Sequence, residues 1–327
     1  QADRLKAFYG NSNAVAVTLP HDAMIREKRD KDCPSGAQSG FYPGGVYTYE
    51  KKFMAQYEWK KQDVFLEFEG IYGIARVWIN GSLAAVNRNG YMGFSVDLKP
   101  WISYEHENII RIDVDNSKQP NSRWYSGSGI YSWCEDQDFF RFSGIYRDVN
   151  LWTGKDVYIS HDKLRITTLS VNDDMAVIEV CAQLKNIIGH GLEAECLIEI
   201  KKDGQKTASD TQRVVFRSEQ MQTVRVQIPI EHPKKWSPKQ PALYECHITT
   251  KFDDKICDEA VSNFGIRVLA LDPVHGLQIN GETVKLRGTC IHHDNGVIGA
   301  ETFKEAEWYR CKRLKEAGFN AIRSAHH

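Results

Sequence analysis

The chain has 327 residues, of which 42% are hydrophobic and 26% are charged, as in an ordinary globular protein with room for two domains and part of a third. With 42 Lys and Arg against 43 Asp and Glu, the net charge of −1 provides no long-range positive field. We therefore expect no nucleic-acid partner and no anionic membrane partner. No apolar run approaches the 18 residues of a membrane-spanning helix.

The compartment is predicted only from the N-terminus and the cysteines. The first residues, QADRLKAFYG, lack the apolar segment of a signal peptide, and the eight cysteines are scattered without a CxxC pair. We interpret the cysteines as mostly reduced core residues, not as a disulfide framework. This favours the cytoplasm; a periplasmic or secreted protein whose signal has been removed is the alternative.

The first part of the chain, residues 1–153, predicts an antiparallel β-sandwich. Apolar and polar residues alternate with a period of two, and Asn80-Gly81 is typical of a tight hairpin. The long stretch 117–147 is irregular and rich in both aromatic and polar residues, which favours a functional loop. The candidate strands are VFLEFEG (64–70), IARVWING (74–81), GFSVDLKPWI (93–102), ENIIRIDVDN (107–116) and DVNLW (148–152).

Residues 154–266 predict a second sandwich, of immunoglobulin-like type, because short candidate strands follow one another closely. Asp203-Gly204 predicts a hairpin, and HPKKWSPKQPALY (232–244) has three prolines, so we expect it to cross between strands. The candidate strands lie near 157–169, 175–185, 193–202, 211–217, 222–230 and 243–252.

The last part, residues 267–327, predicts a β–α–β unit. LQINGETVKLRGT (277–289) predicts a hairpin and then a strand, and FNAIRS (319–324) a short buried strand. Between them we expect a helix over 303–317, begun by a capping box of Thr302 and Glu305 and ended by Gly318. Such a unit requires parallel strands and a right-handed crossover. Alone it cannot cover its own sheet, so we expect it to be mobile or to pack on a second copy in a homo-oligomer.

Polar side chains follow both strands of this unit. His292, His293 and Asp294 come after the first strand, and Arg323, His326 and His327 end or follow the second. The carboxyl ends of neighbouring parallel strands lie at one edge, about 5 Å apart, which in a (β/α) barrel is the active-site face. The alternative is that these loop residues have a structural role only and form hydrogen bonds with backbone groups that would otherwise be unpaired. Their grouping favours a functional role.

Two chemistries suit these side chains. Histidine and aspartate are zinc ligands, but adjacent residues such as His292 and His293 point to opposite sides of a strand end, which suits a metal site poorly. The favoured alternative is recognition of a polyhydroxyl ligand, with imidazole and guanidinium groups donating to sugar hydroxyls and aromatic rings stacking on sugar faces.

The chain resembles glycoside hydrolase family 2, the family of β-galactosidases, β-glucuronidases and β-mannosidases. Seven stretches match in family order, and together they are far more specific than any one alone. They are TLPHD (18–22), RVWING (76–81), EDQDFFRFSGIYRDV (135–149), WSPKQPALY (236–244), FGIR (264–267), LRGTCIHHD (286–294) and GFNAIRSAHH (318–327).

The resemblance implies a mainly β fold: a jelly-roll sugar-binding sandwich at 1–153, an immunoglobulin-like sandwich at 154–266 and the first β–α–β unit of a truncated TIM barrel at 267–327. It also implies that His292 and His326 bind the sugar and that Arg323 supports the catalytic nucleophile. The loop containing Trp124, Tyr125 and Ser126 would shape the sugar subsite. Some relatives carry a sodium-binding aspartate after the same Arg-Trp pair, but this chain has Tyr125 and Ser126 there. We therefore expect no metal or cofactor in these residues; sodium or magnesium in a full-length enzyme is the alternative.

Retaining glycosidases need two carboxyl groups about 5–5.5 Å apart. Residues 267–327 fall far short of the roughly 250 residues of a TIM barrel. We expect both catalytic glutamates beyond His327, since Glu301 and Glu305 belong to the helix start. The interpretation is the N-terminal portion of a retaining, β-galactosidase-like enzyme that cleaves β-glycosides of oligosaccharides, inactive by itself. The alternative is a non-catalytic carbohydrate-binding module or β-sandwich interaction protein.

Overall fold

The computed structural model describes residues 14–33, 40–116, 143–161 and 163–324. Trp124, Tyr125, Ser126 and His326 lie outside them, so the roles predicted for these side chains stay predictions.

Seven antiparallel strands of the first part form two facing sheets, with strand orders β1-β6-β3-β4 and β5-β2-β7. Burial alternates along β2, so that Val64, Leu66 and Phe68 enter the core between the sheets. The predicted hairpin is confirmed: Asn80 and Gly81 both have positive φ, of 50° and 82°. The strands are β1 (Val46–Phe53), β2 (Asp63–Phe68), β3 (Ile74–Ile79), β4 (Ser82–Asn87), β5 (Phe94–Asp97), β6 (Asn108–Asp115) and β7 (Val149–Gly154).

The second part is also an antiparallel sandwich. In one sheet β10 pairs with β13, β8 and β9, and the other has the order β12-β11-β14-β15. Their inner faces form one apolar core. The strands are β8 (Val157–Ile159), β9 (Arg165–Val171), β10 (Met175–Asn186), β11 (Leu192–Lys202), β12 (Gln205–Phe216), β13 (Met221–Glu231), β14 (Tyr244–Phe252) and β15 (Lys255–Phe264).

Two strand predictions for this sandwich were wrong. The strand expected near 157–169 is two strands, because the chain turns where the Lys163 amide donates to the Ser160 carbonyl over 3.2 Å. β15 was not predicted at all; it follows a tight turn at Asp253 and Asp254, both with positive φ. The predicted crossing is confirmed, since no strand is found in the proline-containing segment before β14.

The third part contains the predicted parallel pair. Its first three strands form an antiparallel sheet, and β19 then pairs in parallel with β20, Cys290 lying opposite Arg323. The elements are β16 (Leu269–Asp272), β17 (Gly276–Ile279), β18 (Glu282–Thr283), β19 (Gly288–Ile291), helix α1 (Lys304–Glu316) and β20 (Ala321–Ser324).

The predicted capping box is wrong, whereas the predicted helix end is confirmed. Phe303 is the N-cap of α1 and makes no side-chain cap, because the Thr302 hydroxyl donates to the Ala300 carbonyl instead. Gly318 has φ 90°, and the amides of Gly318 and Phe319 donate to carbonyls in the last turn of α1.

The expected burial of β20 is also wrong: Ile322 is 42% exposed, and no residue of α1 is buried. The β19–α1–β20 unit therefore has too little protein around it to cover its apolar side chains, as expected. In the part of the chain that the structure describes, no helix is both long enough and apolar enough to cross a bilayer.

Seven of the cysteines are described, and all seven are free thiols. Cys33, Cys196 and Cys246 are buried, so the prediction of core cysteines holds for these three, whereas it is wrong for Cys290 and Cys311, which are exposed. Burial raises the pKa of the Cys196 and Cys246 thiols to about 12, which keeps them protonated and unreactive.

Candidate functional site

The carboxyl edge of the β19–β20 pair brings together two of the predicted site residues, His292 and Arg323. Because Ile291 lies opposite Ser324, His292 leaves β19 at the edge where β20 ends, one residue after Arg323. The Arg323 guanidinium is exposed and lies 3.7 Å, from Nη1 to Sγ, from Cys290. His292 and Arg323 thus occupy one edge, as the parallel topology predicts.

His293 is turned toward the first sandwich. Its ring lies among three tyrosine rings, with centroid distances of 5.1 Å to Tyr72, 5.5 Å to Tyr91 and 5.8 Å to Tyr146. Both ring nitrogens are shielded from solvent. His293 therefore joins the loop after β19 to the sandwich, and we call Tyr72, Tyr91 and Tyr146 the tyrosine cluster.

The tyrosine cluster is buried. The Tyr146 hydroxyl donates to the Gly90 carbonyl over 2.8 Å, and burial raises the pKa of Tyr146 to about 12. The phenol consequently remains a neutral donor at any physiological pH. Next to it, the Thr302 amide donates to the Tyr146 carbonyl over 2.9 Å, which attaches the start of α1 to the same surface.

A buried aspartate makes a second connection. Asp22 has no solvent exposure, and its carboxylate accepts from the Met24 amide at 2.9 Å and from the Ala300 amide at 2.8 Å. Burial raises the pKa of Asp22 to about 6; the backbone hydrogen bonds oppose that rise, and the nearby Glu301 carboxylate adds to it.

Helix α1 holds the other end of the same loop. Arg310 Nη2 donates to the His292 carbonyl over 3.0 Å, and its Nη1 donates to Glu307 over 3.0 Å and to Asn295. Asn295 in turn donates to the Glu301 carbonyl over 3.1 Å. The backbone that carries His292 is therefore fixed by a guanidinium from α1 while the rest of the loop is fixed by the first sandwich.

Several of these residues were not predicted. Asp22 was used only as part of the TLPHD stretch, and Arg310 and the three tyrosines were not singled out. The i,i+3 spacing of Glu307 and Arg310 predicts their own ion pair, but nothing local indicates that Arg310 reaches His292. Among the described residues, no cluster of three or more His, Cys, Asp or Glu side chains could hold a metal ion.

The two sandwiches match known families. The family model "Glycosyl hydrolases family 2, sugar binding domain" matches residues 37–154, and the model "Glycosyl hydrolases family 2" matches residues 157–267. Similar curated proteins include a β-galactosidase of Bacteroides ovatus, 30% identical over 97% of this chain and 36% of its own length. A putative β-glucuronidase of Formosa agariphila is 27% identical over 99% of this chain and 29% of its own length.

Solved structures show the same arrangement. A glycosyl hydrolase family 2 member from Bacteroides cellulosilyticus superposes with a TM-score of 0.86 at 29% identity, over 95% of this chain and 39% of that one. Two sandwiches followed by a parallel β–α–β unit define the class as a glycoside hydrolase region that includes a sugar-binding domain. The chain belongs to glycosyl hydrolases family 2. It spans about a third of the length of the curated relatives described above.

Proposed function

We propose that these residues form the sugar-binding and accessory portion of a retaining family 2 β-glycosidase that cleaves β-galactosides of oligosaccharides. The names of similar proteins, β-galactosidases and β-glucuronidases, support a β-glycosidase. The two carboxyl groups of a retaining mechanism would then lie on barrel strands outside these 327 residues.

One observation carries this proposal over a free-standing binding module. The loop between β19 and α1 is docked on the first sandwich and its N-terminal segment through two hydrogen bonds: Ala300 with Asp22, and Thr302 with Tyr146. A sugar-binding module has no use for a buried junction with a β–α–β unit whose own strands and helix remain largely uncovered. An enzyme uses such a junction to place its sugar-binding sandwich at the mouth of the barrel.

The proposal gives each candidate residue a chemical task. His292 and His326 donate to hydroxyls of the sugar bound at the barrel mouth, and Arg323 stabilises the carboxylate nucleophile with its positive charge. The loop that contains Trp124, Tyr125 and Ser126 shapes the sugar subsite. The nucleophile displaces the aglycone, whose oxygen takes a proton from the acid/base carboxyl group, and a glycosyl-enzyme intermediate forms. The same carboxylate then takes a proton from water, which hydrolyses the intermediate with retention of configuration.

The test compares the complete gene product with the 327-residue chain. We expect the complete product to release nitrophenol from nitrophenyl β-galactoside faster than from nitrophenyl β-glucuronide, and the 327-residue chain to release none above blank. A preference for the glucuronide would contradict the substrate. Sugar binding without hydrolysis by the complete product would favour the binding module.

A histidine variant tests the proposed site within the same enzyme. His292→Ala should lower kcat/KM about tenfold to hundredfold, the effect of losing one strong hydrogen bond to the sugar. His190→Ala is the matched control, because His190 is exposed and, among the described residues, its ring bonds the carbonyl of its neighbour Gly191. Equal kcat/KM in the two variants would contradict the role of His292.

A further inference from the structure

The segment that carries Asp22 is itself fixed to the first sandwich. The amides on either side of Asp22 donate to that sandwich: His21 to the Ile145 carbonyl over 2.8 Å, and Ala23 to the Ser143 carbonyl over 2.7 Å. A hydrogen bond of 2.8 Å between His21 Nδ1 and the Tyr49 hydroxyl adds a side-chain contact with β1. The Asp22 backbone is therefore a rigid base from which its carboxylate reaches across to the loop after β19.

Both carboxylate oxygens of Asp22 are in use. Oδ1 accepts from the Met24 amide within its own segment, and Oδ2 accepts from the Ala300 amide across the junction. An amide side chain of the same shape has one acceptor oxygen, so asparagine could satisfy only one of these two donors. The arrangement requires a carboxylate for a geometric reason and not only for its charge.

The loop is shaped to receive this carboxylate. Gly299 has φ 62° and ψ −129°, a conformation that glycine adopts far more readily than any other residue. A Cβ atom at Gly299 would lie 2.1 Å from Asp22 Oδ2, so a larger residue would displace the carboxylate. Ala300, which donates the hydrogen bond, is only 1% exposed, and the bond is therefore shielded from competing water.

The Asp22–Ala300 hydrogen bond is one of the contacts that hold the loop after β19 in place. Residues 292–301 run from the end of β19 to the approach of α1, and Arg310 holds the carbonyl of His292 at the first end. Asp22 holds Ala300 near the second end, and His293 packs on the tyrosine cluster between them. Without the hydrogen bond from Asp22, the end of the loop near Ala300 would be held only by the contacts of the residues next to it.

We propose that Asp22 is a positioning residue of the glycosidase site: from the sugar-binding sandwich it fixes loop 292–301, and thereby the placement of His292 for the sugar. The inference rests on the proposed function for its catalytic consequence, but the fixing of the loop can be measured without any activity.

The first experiment is hydrogen–deuterium exchange on the 327-residue chain. Asp22→Asn should accelerate exchange in a peptide covering 295–302 at least tenfold. The side-chain NH2 group of asparagine replaces one carboxylate oxygen, so the Ala300 amide loses its hydrogen-bond acceptor or lies beside a second donor. Gly299→Ala keeps the Asp22 carboxylate but puts a methyl group where its Oδ2 atom lies. This variant should accelerate exchange over 295–302 in the same way. The matched control is Asp63→Asn, which removes a carboxylate from the other junction of the first sandwich; exchange over 295–302 should then remain as in wild type.

Unchanged exchange over 295–302 in both Asp22→Asn and Gly299→Ala would overturn the proposal. Protection of β10 and β13 in the same spectra shows whether a variant has folded. Since the removal of a buried charge can leave overall stability unchanged or improve it, exchange in the loop, not the melting temperature, is the readout.

The second experiment uses kinetics of the complete gene product. Loss of positioning should raise KM for nitrophenyl β-galactoside about fivefold or more in Asp22→Asn, whereas a merely smaller folded fraction would lower kcat and leave KM unchanged. A faster-exchanging loop with unaltered KM would overturn the positioning role. If the wild type hydrolyses no β-glycoside, the proposed function fails, and exchange alone then decides whether Asp22 fixes the loop.

Discussion

Asp63 of the first sandwich accepts a hydrogen bond from Lys185 of the second sandwich, with 2.7 Å between Oδ2 and Nζ. The same oxygen accepts from the Tyr158 hydroxyl over 2.9 Å. Nearby, His161 bonds Glu67 over 2.6 Å. The two sandwiches are therefore joined by polar contacts that include the Asp63–Lys185 ion pair, whereas the first sandwich meets the loop of the β19–α1–β20 unit through tyrosines and a buried carboxylate.

We predict that Asp63→Asn lowers the free energy of unfolding by about 2 kcal/mol at pH 7, the usual cost of losing hydrogen bonds to a charged group. The control is Lys99→Met, because Lys99 is 3.5 Å from Asp63 but 43% exposed, and its loss should cost less than about 1 kcal/mol. Urea unfolding followed by tryptophan fluorescence measures both. Equal midpoints for the two variants would show that the Lys185 and Tyr158 bonds contribute nothing extra.

The effect of Asp63 should depend on pH. Burial acts to raise the pKa of Asp63, but the hydrogen bonds from Lys185 and Tyr158 outweigh it and bring the pKa below 3.8. Its stabilisation is therefore fully present above pH 3.8 and is lost as the pH falls through the lower, folded-state pKa. The midpoint difference between wild type and Asp63→Asn should shrink in that acid range; a difference that is constant down to the folded-state pKa would contradict this.

Asp22 should titrate in the opposite sense. Its pKa of about 6 lies above the ordinary 3.8, so the folded chain binds a proton between about pH 4 and 6 that the unfolded chain does not. The contribution of Asp22 to stability is thus greatest below pH 3.8 and falls by about 3 kcal/mol as the pH rises past 6. The side chains of Glu301, Tyr47 and Tyr49 lie near the Asp22 carboxyl group. Backbone amides of the segment that contains His21 and Asp22 lie near it as well.

The measurement for Asp22 is a carbon-13 titration of its carboxyl resonance, which should have a midpoint near pH 6. The Asp63 resonance in the same spectra is an internal control and should have a midpoint below 3.8. Identical midpoints for the two carboxyl groups would show that the junction around Asp22 is open to water.

The core of the second sandwich should be sensitive to cavities. Ile198 is fully buried on β11, and Ile198→Ala should cost about 3 kcal/mol through lost apolar burial and an unfilled space. Ile256→Ala makes the same chemical change on β15, where the side chain is 57% exposed, and should stay within about 0.5 kcal/mol of wild type. Urea midpoints test the pair, and similar losses at both sites would contradict the packing of this core.

The tyrosine cluster should depend more on its rings than on a hydroxyl. Tyr146→Phe removes one buried hydrogen bond, to the Gly90 carbonyl, and should cost about 1 kcal/mol. Tyr146→Ala also removes the ring that packs on His293 and should cost about 3–5 kcal/mol. Tyr57→Phe, at a residue that is 70% exposed, is the control for the hydroxyl and should leave the urea midpoint unchanged.

Local sequence signals predicted turns and helix ends correctly where the backbone conformation of one or two residues decides the structure. The Asn80-Gly81 hairpin and the helix end at Gly318 depend on positive φ, which few residues tolerate, so their sequence signals are specific. The capping box at Thr302 and Glu305 failed because the Thr302 hydroxyl had a nearer acceptor, the Ala300 carbonyl, in a loop whose course the sequence does not reveal.

In the candidate site, too, one part was predicted from the sequence and another part was not. The parallel pairing of β19 and β20, and hence the common edge of His292 and Arg323, follows from the order of strand, helix and strand. The connections of Asp22 to Ala300 and of His293 to Tyr72 join residues more than 200 positions apart. No periodicity or short motif encodes such contacts.

The sequence by itself determined the class of each part: two antiparallel sandwiches, a parallel β–α–β unit and the residues placed at its edge. Alternation, turn chemistry and strand order act over a few residues, and they are written locally in the chain. Only the tertiary structure decided which part of the first sandwich meets the β19–α1–β20 unit and which histidine enters the junction. Those choices depend on shape and on the satisfaction of buried polar groups such as the Asp22 carboxylate, which exist only once distant segments are packed together.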